Sequence, residues 1–214
     1  MIIGNIKTMP EPKLLPFDKE LEGISKKTLE IHHDKLYVGY VKKDEEVRDK
    51  LRQLSHDIID GKAEGGNQTY SVLRGLKEGE TFARNGVYLH EWYFDVLGGA
   101  GKSEEAPELS QAITDKWGSV EGFMKYFSEC GMAARGWAIL AWDIKAQRIK
   151  QYNADAHNQG GVWGCIPVIV LDVYEHAYFI DFGSDRKSYI EAFWRNFDWA
   201  KAEEIYKKVK EYSL

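Results

Sequence analysis

The fold of the second half of the chain is indicated most clearly by residues 166–176, Ile-Pro-Val-Ile-Val-Leu-Asp-Val-Tyr-Glu-His. The first six of these residues form a continuous apolar run, which is typical of a strand buried on both faces. Asp172 follows this run directly, and a carboxylate where a buried strand ends is costly unless it is paired or binds a cation. His176, four residues further on, is a natural second ligand for such a cation. By itself the pattern D-x-x-x-H is a weak signal, so its meaning depends on the rest of the chain.

Two runs upstream of this stretch also indicate strands, at residues 136–144 and 148–153. Helical periodicity surrounds them, over residues 107–134, 186–194 and 200–212. The second half is therefore predicted to be an α/β unit with a small antiparallel sheet of about three strands.

The first half is predicted to be a hairpin of two antiparallel helices, over residues 25–60 and 68–97. A short connection favours antiparallel packing of neighbouring helices. His32 lies on the apolar face of the first helix, and His90 and Tyr93 lie on the apolar face of the second. The overall prediction is an α+β fold in which the hairpin precedes the sheet.

A glycine-rich stretch, Gly98–Ser103, separates the two halves and is typical of a flexible linker. We therefore predict an N-terminal arm and helical hairpin at residues 1–97, a linker at 98–106 and a C-terminal domain at 107–214.

Composition excludes several classes of protein. The 214 residues include 29% charged residues and carry a net charge of −5, which argues against a dedicated nucleic-acid binder. The sequence contains no run of 18 apolar residues, so no membrane-spanning helix is predicted. The only two cysteines, Cys130 and Cys165, form no CxxC pair, which favours free thiols in a reducing compartment. We expect a cytoplasmic protein with no membrane and no nucleic acid among its partners.

Five segments match the motifs of one known family: ISKKTLEIHHDK (24–35), ARNGVYLHEWYF (83–94), GWAIL (136–140), LDVYEHAYFIDF (171–182) and FWRNFDW (193–199). In this order along the chain they resemble the iron/manganese superoxide dismutase family. The first two are similar to its two ligand helices and GWAIL to its glycine-tryptophan strand. LDVYEHAYFIDF is similar to its signature DxWEHAYY, and FWRNFDW to its closing FWxxxNW.

The resemblance implies a mononuclear site that holds one Mn or Fe ion per subunit, between the hairpin and the α/β domain. Its implied ligands are His32, His90, Asp172 and His176, and its implied reaction is disproportionation of superoxide to oxygen and hydrogen peroxide. Three imidazoles, one carboxylate and a solvent molecule suit a five-coordinate Mn or Fe. The family also implies a homodimer or homotetramer.

The resemblance assigns further roles around the metal. Tyr40 matches the tyrosine at the substrate entrance, and His157 matches a residue that hydrogen-bonds the metal-bound solvent. Gly86 is expected to leave room for such a side chain from the second domain, and Trp137 resembles the aromatic wall beside the metal.

Three more positions match residues that act at the subunit contact or the substrate funnel. Glu175 looks like the residue that reaches across a dimer to the partner's His176. Lys35 and Arg186 match positive positions that attract an anion.

The chain departs from the family pattern at four positions. Tyr174 stands where the family has Trp in the wall of the metal pocket, and Asp185 where an Arg is common. Leu36 and Phe179 stand where a His and a Tyr pair across the dimer. It is physically consistent that both partners are absent together. Loss of only one would leave a buried polar group without a hydrogen bond, which costs about 1–3 kcal/mol of stability. These departures bear on proton delivery and turnover and not on the metal ligands.

Two other readings stay open at this point. A non-haem iron oxygenase uses two His and one carboxylate, and the third His argues against it. A catalytically weak or inactive dismutase-fold homologue acting as an interaction module would have little reason to keep four ligands. Mn and Fe are both compatible with the sequence, since Gly86 resembles the manganese pattern whereas His157 occurs in iron-using or dual-metal members.

Overall fold

The helical hairpin forms the first half of the molecule, and the computed structural model describes residues 11–213. The first ten residues of the predicted N-terminal arm and Leu214 lie outside this range. The hairpin consists of α1 (Lys26–Leu29), a π-helix (Glu30–Tyr37), α2 (Val38–Ile59) and α3 (Val72–Asp95).

Contacts between α2 and α3 show that the two helices run antiparallel, as predicted. The Tyr37 hydroxyl, at the junction of the π-helix and α2, donates to Glu91 near the end of α3, at 2.9 Å. Further along, Nε of Arg84 donates to the fully buried carboxylate of Asp44, also at 2.9 Å. Since the positions rise along one helix and fall along the other, His32 and His90 come to the same end of the hairpin.

The sequence predicted one continuous helix over residues 25–60. In the structure this helix is interrupted by a π-helical segment between α1 and α2. Ser25 caps α1 by accepting a hydrogen bond from the Thr28 N–H at 3.2 Å. The next eight residues then form the π-helix, whose wider turn places both His32 and His33 in the interior. Steps of three and four between apolar residues do not distinguish the two helix types, and π-helical turns are frequent at functional sites.

Three antiparallel strands form the sheet: β1 (Trp137–Asp143), β2 (Arg148–Ala154) and β3 (Cys165–Asp172). Their order is β2-β1-β3, so β1 is central. Residues 168–172 of β3 are all buried, which confirms the strand predicted from the apolar run. The register places Trp137 opposite Asp172, and this pairing brings the aromatic wall and the carboxylate to one end of the sheet.

The region 107–134 is helical, as its periodicity predicted, and consists of two helices. α4 (Pro107–Trp117) ends at Gly118, whose φ of 83° is left-handed and terminates the helix. Ser119 then caps α5 (Val120–Ala133) by accepting from the Gly122 N–H at 2.9 Å. A glycine followed by a serine is a helix stop and a helix start, and this local signal overrides the apolar spacing.

Short helices close the chain: a 3₁₀ turn (Glu175–Ala177), α6 (Phe179–Phe182), α7 (Arg186–Arg195) and α8 (Trp199–Val209). A second 3₁₀ turn (Ser103–Glu105) precedes α4. None of the helices within residues 11–213 is long and apolar enough to cross a membrane.

The glycine-rich stretch after α3 is closely packed against the C-terminal segment. The N–H groups of Gly99 and Gly101 donate to the carbonyls of Asn196 and Phe197, each at 3.0 Å. A side chain at Gly99 would collide with the Phe197 carbonyl. The glycines here allow two backbones to approach, whereas their composition had suggested flexibility. The domain boundaries at 97 and 107 remain a prediction.

Candidate metal centre

Four side chains from both halves of the molecule converge on one point. His32 comes from the π-helix, His90 from α3, Asp172 from the last position of β3 and His176 from the 3₁₀ turn that follows. One ligand atom from each lies within 4.8 Å of the other three. His32, His90 and Asp172 are buried, and the His176 side chain keeps 24% of its exposure. The predicted ligand set is therefore assembled in space.

The carboxylate of Asp172 lies at the centre of the group. Its Oδ2 lies 3.0 Å from Nε2 of His32, 3.2 Å from Nε2 of His176 and 3.6 Å from Nε2 of His90. Neighbouring ligand atoms around one ion, each about 2.1 Å from it, are about 3–3.6 Å apart. The other oxygen, Oδ1, accepts a hydrogen bond from the Tyr174 N–H at 2.9 Å. Oδ2 is thus the oxygen that faces the imidazoles.

His90 has the hydrogen bonding of a metal ligand. Its Nδ1–H donates to the carbonyl of Gly86 at 2.6 Å, so Nε2 carries the lone pair. This Nε2 is buried and makes no hydrogen bond with any part of residues 11–213. A buried polar atom without a partner is costly, and a cation would satisfy it. The backbone carbonyl behind the ring is a usual way to fix a ligating histidine.

The protonation states also suit a cation. Burial lowers the pKa of both His32 and His90, which keeps the rings in the neutral form that binds metal. Burial alone would favour the neutral acid of Asp172, yet the neighbouring His176 and His32 hold its pKa well below the ordinary value. Burial of His176 would lower its pKa, but Asp172 raises that pKa above the ordinary value, so metal binding at His176 would release a proton. Three imidazoles and one anionic oxygen are a donor set for Mn or Fe.

Aromatic side chains border this cluster. The Trp137 ring meets the His90 ring edge-on at 5.1 Å, and the Tyr174 ring stacks on His176 at 5.3 Å. His157 lies behind them, and its Nδ1 accepts a hydrogen bond from Nε1–H of Trp137 at 3.0 Å. Burial lowers the pKa of His157 to about 4, so the ring is neutral and carries its proton on Nε2.

Gly86 makes room for the Tyr40 ring, and the expected space for a side chain from the second domain remains a prediction. A methyl group at Gly86 would lie 2.8 Å from Cδ1 of Tyr40, and its three nearest neighbours all belong to that ring. The Tyr40 ring lies 5.3 Å from the His90 ring and 4.7 Å from the His157 ring. The glycine therefore lets the Tyr40 ring lie directly against α3, the helix that carries His90.

The predicted steering residues differ in their surroundings. Lys35 is exposed at the rim of a hollow of about 360 Å³ that Leu36 and Tyr40 also line. The guanidinium of Arg186 donates to the Ala134 carbonyl at 2.7 Å and to the Tyr178 hydroxyl at 3.2 Å. Arg186 therefore ties α7 to the end of α5, and a steering role for either cation remains a prediction.

Three residues near the cluster carried no predicted role. The Phe82 ring lies 4.6 Å from the His157 ring and 6.1 Å from the Tyr40 ring. The Tyr93 and Tyr189 hydroxyls lie 3.1 Å apart, and Tyr189 also reaches the main chain of Asp172. The position of Tyr93 on the His90 face was a signal for its proximity. Tyr189 lies in a segment with no motif, so only the packing of α7 against β3 reveals it.

Comparison with known proteins agrees with this geometry. Residues 105–205 match the family model described as iron/manganese superoxide dismutases, C-terminal domain. An iron superoxide dismutase of Aquifex aeolicus is 40% identical over 207 residues, which cover 96% of this chain and 94% of that protein. A manganese superoxide dismutase of Haloarcula marismortui is 35% identical over 203 residues, covering 93% and 94%. With identity of this level over nearly the whole length, the chain belongs to the iron/manganese superoxide dismutase family.

Proposed function

We propose that this protein disproportionates superoxide to oxygen and hydrogen peroxide, with one Mn or Fe ion held by His32, His90, Asp172 and His176. The observation that carries the proposal is the convergence of three imidazoles and one carboxylate, among which the buried Nε2 of His90 has no hydrogen-bond partner within residues 11–213. When bound, the ion would supply the one-electron redox chemistry that the conversion of superoxide to oxygen and hydrogen peroxide requires. The protein supplies the ligands, the access and the protons.

His157 and Tyr40 are proposed to supply protons to the substrate. The His157 ring holds a proton on Nε2, because Trp137 donates to its Nδ1. Burial and the charge of Asp172 raise the pKa of Tyr40, so its hydroxyl also keeps its proton. The edge-on contact of the two rings at 4.7 Å makes them neighbours on one proton path. Their roles follow the family assignment, and the geometry supports it.

A homodimer, alone or within a tetramer, is proposed on the surface around His176. Nε2 of His176 faces Asp172, while its Nδ1 makes no hydrogen bond within residues 11–213. Ligating histidines usually donate their second N–H to a carboxylate or carbonyl. Glu175 beside it is exposed, and so are Phe179 and Ile180, at 57% and 43%. Glu175 of the partner subunit would accept a hydrogen bond from Nδ1–H of His176. The same contact would cover the adjoining apolar side chains, Phe179 and Ile180.

A cytoplasmic location is part of the proposal. Both Cys130 and Cys165 are free thiols, which suits a reducing compartment.

The decisive experiment combines elemental analysis with activity after reconstitution with Mn or Fe. We expect one ion per subunit and dismutation of superoxide, followed by pulse radiolysis, with at least one of the two metals. His90→Ala should lose most of the metal, whereas the control His56→Ala, at an exposed position on α2, should keep both metal and activity. An empty site in the parent protein after reconstitution would contradict the proposal and favour an interaction module with a dismutase fold.

A further inference from the structure

Two buried tyrosine hydroxyls connect to the main chain of the carboxylate ligand. The Tyr189 hydroxyl lies 2.7 Å from the main-chain carbonyl of Asp172 and 3.1 Å from the Tyr93 hydroxyl. Both side chains are fully buried. A hydroxyl has one proton to donate, and the carbonyl can only accept. Tyr189 therefore donates to Asp172, and Tyr93 donates to Tyr189.

This contact completes a three-point fixation of Asp172. The next peptide N–H, from Val173, donates to the Gly136 carbonyl at 2.9 Å. The carboxylate Oδ1 accepts from the Tyr174 N–H at 2.9 Å. The Tyr189 hydroxyl holds the remaining polar atom of this peptide unit, the carbonyl oxygen. With these three atoms fixed, Oδ2 can point only towards the imidazoles.

The donors of the first two fixations are the main-chain N–H groups of Val173 and Tyr174. The third depends on one side-chain hydroxyl from α7, an element that supplies no metal ligand. Without that hydroxyl the carbonyl would be buried with no donor, and the end of β3 would gain freedom to rotate away from it. Side chains that orient a ligand in this way commonly change metal affinity 10–100-fold when they are removed.

We propose that Tyr189 is a positioning residue for the ligand Asp172, that Tyr93 acts through Tyr189, and that the pair governs how firmly the metal is retained. This inference rests on the proposed function, since it concerns the same metal. It assigns a role to α7 that neither the ligand set nor the aromatic wall contains.

The test compares Tyr189→Phe, Tyr93→Phe, the double variant and the parent protein, all loaded with the same metal. The control is Tyr178→Phe, because Tyr178 stacks on Tyr189 at 5.1 Å and its hydroxyl contacts Arg186 and not Asp172. The two readouts are the rate of metal loss to a chelator and the midpoint potential of the bound metal. A purely structural defect would change unfolding, measured by circular dichroism, without changing the potential.

We expect Tyr189→Phe to lose metal about tenfold faster and to shift the potential, with Tyr93→Phe moving both readouts in the same direction by less. The double variant should match Tyr189→Phe, since Tyr93 has no route to Asp172 except through the other hydroxyl. If Tyr189→Phe does not fold, Tyr93→Phe alone decides, and parent-like values for it would overturn the proposal. The proposal would also be overturned if Tyr189→Phe and Tyr178→Phe had the same rate of metal loss and the same midpoint potential. A parent protein that binds no metal would instead contradict the proposed function itself.

Discussion

The indole N–H of Trp137 donates to Nδ1 of His157 at 3.0 Å, so the central strand decides which ring nitrogen of that histidine carries the proton. Trp137 is the first residue of β1 and pairs with Asp172 across the sheet. One side chain thus borders the ligand cluster and also orients the group that is proposed to deliver protons. The tautomer of His157 depends on this single hydrogen bond.

Trp137→Phe is expected to keep the metal and to lose most of the dismutase activity. The phenyl ring still fills part of the wall, but His157 loses its donor and can turn or change tautomer. We expect the free energy of unfolding to fall by about 1–3 kcal/mol, as for other changes that leave a core cavity. Pulse radiolysis normalised to metal content measures the activity, and a parent-like rate per metal ion would refute the role of this bond.

Trp142→Phe is the matched control for that variant. Trp142 is also a buried tryptophan on β1, five residues further along, and its Nε1–H has no partner within residues 11–213. The same loss of volume therefore occurs away from His157, and activity per metal ion should not change.

His157→Ala should also retain metal and lose most of its activity, because the ring lies behind the ligands and does not belong to the cluster. His157→Gln restores a side chain that can donate a hydrogen bond, and we expect it to recover part of the rate. Metal content by elemental analysis and rate by pulse radiolysis measure the two effects. Full activity of His157→Ala would eliminate this residue from the proton path.

The sequence was sufficient for the large elements and the ligand positions. The run IPVIVL could be recognised as a buried strand because no polar residue interrupts it, and Asp172 lies at its end as predicted. His32 and His90 could be placed on facing helices because each lies on an apolar face, and the motifs around them identify the family.

What the sequence could not provide are features set by contacts between distant residues. The π-helix around His32 leaves no mark in the apolar spacing. The need for a glycine at position 86 arises from the Tyr40 ring, 46 residues away along the chain. Tyr189 reaches Asp172 only because α7 packs beside the end of β3. Tertiary packing brings Tyr40 to Gly86 and Asp172 to Tyr189, and no local sequence pattern encodes these contacts.

Gly86→Ala is expected to lower activity while the metal remains bound. Its methyl group would lie 2.8 Å from Tyr40, so the ring must shift, and this shift disturbs its edge-on contact with His157. Alanine favours a helix over glycine by about 1 kcal/mol, but overpacking costs about 1–3 kcal/mol, so we expect no gain in stability. The control is Gly75→Ala on the same helix, where a methyl group meets nothing within 4 Å. That variant should gain about 0.5–1 kcal/mol and keep full activity.

Arg84→Met should destabilise the helical hairpin. Asp44 is fully buried, and its Oδ1 would lose the 2.9 Å hydrogen bond from Nε of Arg84, leaving Arg48 at 3.8 Å as its nearest cation. Removing one partner of a buried pair costs about 3–5 kcal/mol, and we expect about 2–3 kcal/mol because Arg84 is partly exposed.

Urea unfolding of the metal-free protein at one fixed concentration measures this loss. Adding Asp44→Asn to Arg84→Met should recover part of it, because the stranded charge is then gone. Lys77→Met removes a cation from an exposed pair with Glu80 on the same helix and should change stability by less than about 1 kcal/mol. A loss of that small size for Arg84→Met would show that the buried carboxylate does not depend on this arginine.

Gly99→Ala distinguishes a flexible linker from a packed junction. In a flexible linker, replacing one glycine by alanine would be neutral or slightly stabilising, because it restricts the unfolded chain. In this structure the added methyl group collides with the Phe197 carbonyl and the Asp198 backbone, and neither can move as the tip of a side chain could. The hydrogen bond from Gly99 N–H to Asn196 would be broken by any backbone shift that relieves the collision. We therefore expect a loss of about 2–4 kcal/mol in the free energy of unfolding, whereas Gly161→Ala, whose methyl group meets nothing within 4 Å, should be close to neutral. Equal stability of the two variants in urea would show that Gly99 is not packed tightly against the C-terminal segment and that this stretch behaves as a flexible linker.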